Sequence, residues 1–239
     1  MYKIFLALFI FNSFASGAQD YKSDFKKSIK FYSSATDLSM SVNVKTFESS
    51  NDKTGTSLGS GKMYRSSKKY YSNFMNTEII DDGNKVLMID HADKQASYYP
   101  DHSIIGNIPV IDKDMDSLLK SADSVIYIGA KEGGIQYTCY GKKEDLISKY
   151  NITFSSKDYH VSKIEYFYNQ KNKDFEIEQY KLIVNYTSVS TSKVTETEKF
   201  KLENYISSND KGYVLKSKYS GYKLQVTDKK KVLNKYIKG

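Results

Sequence analysis

A chain of 239 residues with 39% apolar and 27% charged residues is long enough to bury one sizeable core and too polar to be embedded in a membrane along its length. Its formal charge of +8 is carried by scattered lysines, with Arg65 the lone arginine, which excludes the arginine forks and dense basic patches of nucleic-acid readers. Cys139 is the single cysteine, so no internal disulfide forms and stability must come from packing.

Met1-Tyr2-Lys3, the apolar run from Ile4 to Phe11, and the small residues Ser16 and Ala18 predict a cleaved signal peptide over residues 1–18, with Gln19 the first mature residue. That run is too short to cross a hydrocarbon core, which takes about 20 residues. No cysteine near the cleavage point offers a lipid attachment site, so the mature chain is expected in the periplasm, with secretion as the alternative. Residues 19–239 contain no linker or composition break and read as a single domain.

From Asp20 to Ser34, the residues Tyr21, Phe25, Ile29 and Tyr32 recur at helical spacing among lysines, the pattern of an amphipathic helix. At Asp37 the period changes to two. Leu38, Met40, Val42 and Val44 alternate with Ser39, Ser41, Asn43 and Lys45, as on a strand with one face buried. Further strands are predicted near Leu58–Arg65, Lys69–Asn76, Thr77–Ile80, Lys85–Asp90 and Lys94–Tyr99, with Asp82-Gly83 as a hairpin turn.

Asp101 to Ile111 reads as a loop, and Asp112 to Ala122 as a short helix with acids in its first turn. Strands then resume at Val125–Ala130, Ile135–Tyr140, Tyr150–Phe154, Val161–Tyr168, Phe175–Tyr186, Lys199–Ile206 and Tyr213–Val226. The Lys229–Lys231 run reads as a solvated end. About ten strands on short turns with two helices predict a mainly β fold, a strongly curved antiparallel sheet.

One segment has a more particular pattern: Gly59 and Gly61, then Tyr70, Tyr71 and Phe74. Ile79-Ile80-Asp81-Asp82-Gly83-Asn84-Lys85-Val86-Leu87-Met88-Ile89-Asp90 follows, and then Lys94-Gln95-Ala96. This succession resembles the LolA/LolB-like superfamily of periplasmic lipoprotein carriers. The resemblance implies a half-open barrel wrapped around the N-terminal helix, acting as a monomer that carries acyl chains. In that family an arginine-proline pair near the end of the glycine-led strand helps control closure. The resemblance makes Arg65 the gating candidate, although it departs from the family pattern by standing about two residues early, with Ser66-Ser67 in the place of the pair.

A curved sheet shielded by a helix leaves an apolar face where a lipid or acylated protein can lodge. Alternation nominates Leu38, Met40, Val42 and Met63 for its lining, together with Phe74, Leu87 and Ile89. From the later strands it nominates Tyr127, Ile164, Leu182 and Val184. The other reading is a non-catalytic envelope interaction module that meets a protein partner or polysaccharide through its sheet surface and its 22 tyrosines.

Neither an enzyme nor a bound cofactor is expected. No Gly-x-Ser-x-Gly elbow or phosphate-cradling glycine loop occurs. His91, Asp93, Asp101 and His102 lack a metal-ligand spacing, and the series Asp112, Asp114, Asp116, Asp123 has Ser117 where a calcium loop needs glycine.

Overall fold

A computed structural model describes residues 20–101, 119–131, 133–170, 179–210 and 212–227. The predicted signal peptide, His102, the calcium-like series up to Asp116, most of the predicted second helix, Phe175 and the C-terminal lysine run lie outside the described residues.

The N-terminal helix α1 spans Tyr21–Ser34. Asp20 caps it, its side chain accepting the Lys22 N–H at 3.0 Å, as an acceptor at a helix start should. The buried stripe is Asp24, Phe25, Ser28 and Tyr32, so two of its four positions are polar. A second helical stretch ends at Leu119–Ser121.

The strands are β1 (Asp37–Phe47), β2 (Thr56–Ser66), β3 (Lys69–Phe74), β4 (Thr77–Asp81), β5 (Val86–Asp90), β6 (Gln95–Tyr99) and β7 (Ser124–Lys131). They continue as β8 (Gly134–Tyr140), β9 (Ile147–Ser155), β10 (Val161–Tyr168), β11 (Lys181–Ser190), β12 (Ile206–Asn209), β13 (Gly212–Leu215) and β14 (Lys223–Val226). Twelve of them form one curved sheet in the order β14-β6-β5-β4-β3-β2-β1-β11-β10-β9-β8-β7, open at both ends and not closed into a barrel, while β12 and β13 pair separately.

The turns follow local chemistry. At the β4–β5 hairpin Gly83 sits at φ 99°, Asp81 accepts the Gly83 N–H, and Asp82 accepts those of Asn84 and Lys85. Gly61 is required for a different reason. A Cβ there would lie 2.2 Å from the Asn73 carbonyl oxygen, so only glycine lets β2 and β3 approach this closely.

One pairing departs from the antiparallel rule, and the C-terminal strand expectations need correction. Every pair in the large sheet is antiparallel except β14, which runs parallel to β6. The stretch predicted as a strand over Lys199–Ile206 is instead a pair of 3-10 turns, Thr197–Phe200 and Leu202–Asn204, and Tyr213–Val226 is broken by a third at Ser217–Tyr219. The apolar residues explain the first: Leu202 and Tyr205, three apart, fall on one side of a 3-10 turn and are both buried.

Candidate ligand-binding face

Residues directly paired across antiparallel strands share a face, so the register sorts the side chains. Ile152 pairs with Ile164, Ile164 with Val184, and Val184 with Val44. Along the neighbouring rows Met40 faces Met63, and Val42 faces Gly61, which in turn faces Phe74. Tyr127 opposite Tyr137 and Tyr166 opposite Leu182 extend the same face.

This face carries α1. Phe25 meets Tyr137 and Phe154 edge-on at ring-centroid distances of 5.8 and 4.9 Å. The buried Asp24 accepts the Tyr137 hydroxyl at 2.7 Å and the Lys27 ammonium at 2.9 Å. The Tyr32 hydroxyl accepts the Val161 N–H at 2.9 Å, and burial pushes that hydroxyl's pKa well up. Ser28 Oγ is buried with no hydrogen-bond partner among the described residues.

Nine of the eleven residues nominated from the sequence therefore share the helix-bearing face. Leu38, Met40, Val42 and Ile164 are buried in its core, and Met63, Phe74, Leu182 and Val184 are half-buried against it. Tyr127 lies on the exposed strand β7, 43% exposed. Leu87 and Ile89 are elsewhere. They pair with Ile80 and Glu78 on the opposite face, fully buried among Tyr64, Tyr71, Phe200, Leu202, Tyr205 and Tyr219.

Arg65 is on the helix-bearing face, paired with Leu38 and Tyr70. Its guanidinium donates to the carbonyl oxygens of Tyr32 at 2.6 Å and Ala35 at 2.9 Å. It thereby satisfies carbonyls that the end of α1 leaves without an intrahelical partner, and places a cation at the negative end of the helix dipole.

The opposite face contains a network that alternation alone did not reveal. Glu78, 4% exposed, accepts hydroxyls from Tyr71 at 2.9 Å and Tyr219 at 3.2 Å. His91 Nε2 lies 3.4 Å from Glu78, and its Nδ1 lies 3.0 Å from the Tyr222 hydroxyl. The ammonium of Lys199 lies over the rings of Tyr64 and Tyr71 at 5.0 and 4.8 Å. The available signal was a glutamate at position 78 directly before Ile79 and Ile80.

Cys139 is fully buried, and burial pushes its thiol up to about 12, the setting of an inert cysteine. Among the described residues no group of three or more histidine, cysteine, aspartate or glutamate side chains converges as a metal site, and no helix is long and apolar enough to cross a membrane.

No family model matches the chain, nor does any curated protein. Among solved structures, MucB aligns with 83% of this chain at 11% identity and a TM-score of 0.49, and the chain spans 66% of MucB's length. A LolA superfamily protein from Nitrosomonas europaea aligns with 75% of this chain and 97% of its own, at 8% identity and a TM-score of 0.32. The lipoprotein LppX from Mycobacterium tuberculosis aligns with 72% of this chain and 96% of its own, at 10% identity and a TM-score of 0.37. The fold itself is mainly β, a large curved sheet not closed into a barrel. An open curved sheet and a helix seated on one of its faces were the arrangement expected from the Gly59–Ala96 pattern.

Proposed function

We propose that this chain is a non-catalytic periplasmic carrier that binds a hydrophobic group, an acyl chain of a lipid or acylated protein, on the helix-bearing face beside α1. The observation that carries the reading is the strip of half-buried Met63, Phe74, Tyr166, Leu182, Val184 and Tyr186, packed against the core yet still reachable. Each methylene moved from water onto such a strip gains about 0.8 kcal/mol, so eight of them supply roughly 6 kcal/mol without a polar anchor. Met63 and Met40 add side chains that re-pack around differing chains. In this reading Arg65 holds the end of α1 against β2 next to Met63, and releasing its two carbonyl contacts loosens the helix over the strip.

The test is uptake of a fluorescent fatty acid by the chain from Gln19 onward, with native mass spectrometry of the gently purified protein. Bound lipid or saturable uptake is expected, and the double variant Leu182→Ser/Val184→Ser should abolish it while the protein stays folded. Ligand-free protein that takes up no fatty acid sinks the proposal. A stoichiometric envelope protein recovered without lipid would favour the interaction-module reading instead.

A further inference from the structure

A recess of about 450 Å³ lies where the β2–β3 turn, the β4–β5 turn and the 3-10 turn Thr197–Phe200 meet. Three basic residues, Lys68, Lys69 and Lys201, line it against one acidic residue, Asp82. That carboxylate is already engaged, since its Oδ1 accepts the N–H groups of Asn84 and Lys85, both at 2.9 Å. Lys201 is ion-paired with Glu198, whereas Lys68 and Lys69 have no acidic partner among the described residues. Ser66, Ser67 and Thr197 also line the recess, and among the described residues none of their hydroxyls is hydrogen-bonded to another protein group.

Ser67 is the informative residue. Its φ is 54°, the left-handed region, at a hairpin position where glycine is the unstrained choice. Met75, Lys94, Tyr159 and Ser188 share this backbone conformation; what sets Ser67 apart is that it lines the recess beside two lysines.

We infer that this recess binds a phosphate group, free or on a lipid headgroup, through the Lys68 and Lys69 ammoniums and the Ser66, Ser67 and Thr197 hydroxyls. Phosphate offers several strong acceptor oxygens and up to two negative charges, which match hydroxyl donors and lysine point charges together. The volume exceeds that of one phosphate and leaves room for an esterified group. This site is separate from the acyl strip and stands whether or not that strip binds lipid.

Titration of the isotope-labelled chain from Gln19 with inorganic phosphate, followed by amide NMR at low ionic strength, tests it. Saturable shifts should be confined to residues 66–69, 82–84 and 197–201, and Lys68→Ala/Lys69→Ala should weaken binding about tenfold. Ser67→Gly separates binding from structure: it should raise the melting temperature and still weaken phosphate binding several-fold. Co-sedimentation with phosphatidylglycerol vesicles, against phosphatidylcholine, identifies the source. Retention lost in the lysine double variant assigns a lipid headgroup, and phosphate shifts without retention assign a free phosphate. The inference is overturned if neither probe binds, if shifts spread over lysines throughout the chain, or if the lysine double variant binds as well as the parent.

Discussion

The two halves of the large sheet bury opposite faces. Strands β1 and β8–β10 bury mainly the side bearing α1, with Phe25 and Tyr32 fully enclosed, whereas β2–β6 bury mainly the reverse side, beneath Val194, Phe200, Leu202, Tyr205, Ile206 and Tyr219. The halves also differ in how they are sealed. The first is covered by a helix whose buried stripe is half polar and whose end is tied down by Arg65, the second by short turns and strands locked through Glu78. The difference teaches that one continuous sheet can keep a finished core on one side and, on the other, a strip of apolar residues from Met63 to Tyr186 that stays only half-buried beside α1.

Deleting residues 192–239 should break the comparison most severely. It uncovers Tyr64, Tyr71, Ile80, Leu87 and Tyr98 together, and a shortened chain that is aggregated or unfolded by size-exclusion chromatography and circular dichroism is the expected outcome. Phe25→Ala comes next, costing about 3–5 kcal/mol in denaturant melts, with hydrogen exchange accelerated in β8–β10 before β3–β5. Equal acceleration in both halves would show that the two cores unfold as one unit.

Glu78→Leu should cost about 1–3 kcal/mol, because the hydroxyls of Tyr71 and Tyr219 lose a buried acceptor. Adding Tyr71→Phe and Tyr219→Phe should recover part of that loss; if it does not, the network is not what fastens the C-terminal segment.

A smaller, graded effect is expected in alkali. Burial holds the Cys139 thiol up at about 12 against an ordinary 9.0, and raises the hydroxyls of Tyr32, Tyr150, Tyr71, Tyr205 and Tyr219 above their ordinary 10.0. Each group holds its proton more tightly when folded. The stability they contribute is complete below the ordinary values and declines as pH rises from about 9 through the folded values. Denaturant melts from about pH 8 to pH 11, with tyrosinate absorbance read in parallel, should show these tyrosines ionising together with unfolding.

Much of this architecture was legible because most strands obey the two-residue beat. Leu38, Met40, Val42 and Val44 announce β1, and Asp82-Gly83 fixes the β4–β5 hairpin. The face on which each strand is buried was less legible. Val86 and Leu87 are both fully buried, so β5 is covered on both sides, and its unbroken apolar run assigns Leu87 and Ile89 to neither face. The C-terminal segment was misread for a related reason: Phe200, Leu202 and Tyr205 are apolar at spacings of two and three, and tertiary packing under β3 and β4 decided between strand and 3-10 turn. Glu78 and Ser67 resisted reading because a buried acceptor and a strained turn are defined by their surroundings in space.

The parallel pairing of β14 with β6 also bears on the order of assembly. A chain threaded out N-terminus first, from a ribosome or through a pore, has β2–β6 in hand early, yet it cannot seal their inner side until residues 194–226 have emerged. Late closure of that kind makes the far C-terminal strand the keystone whose arrival completes the second core.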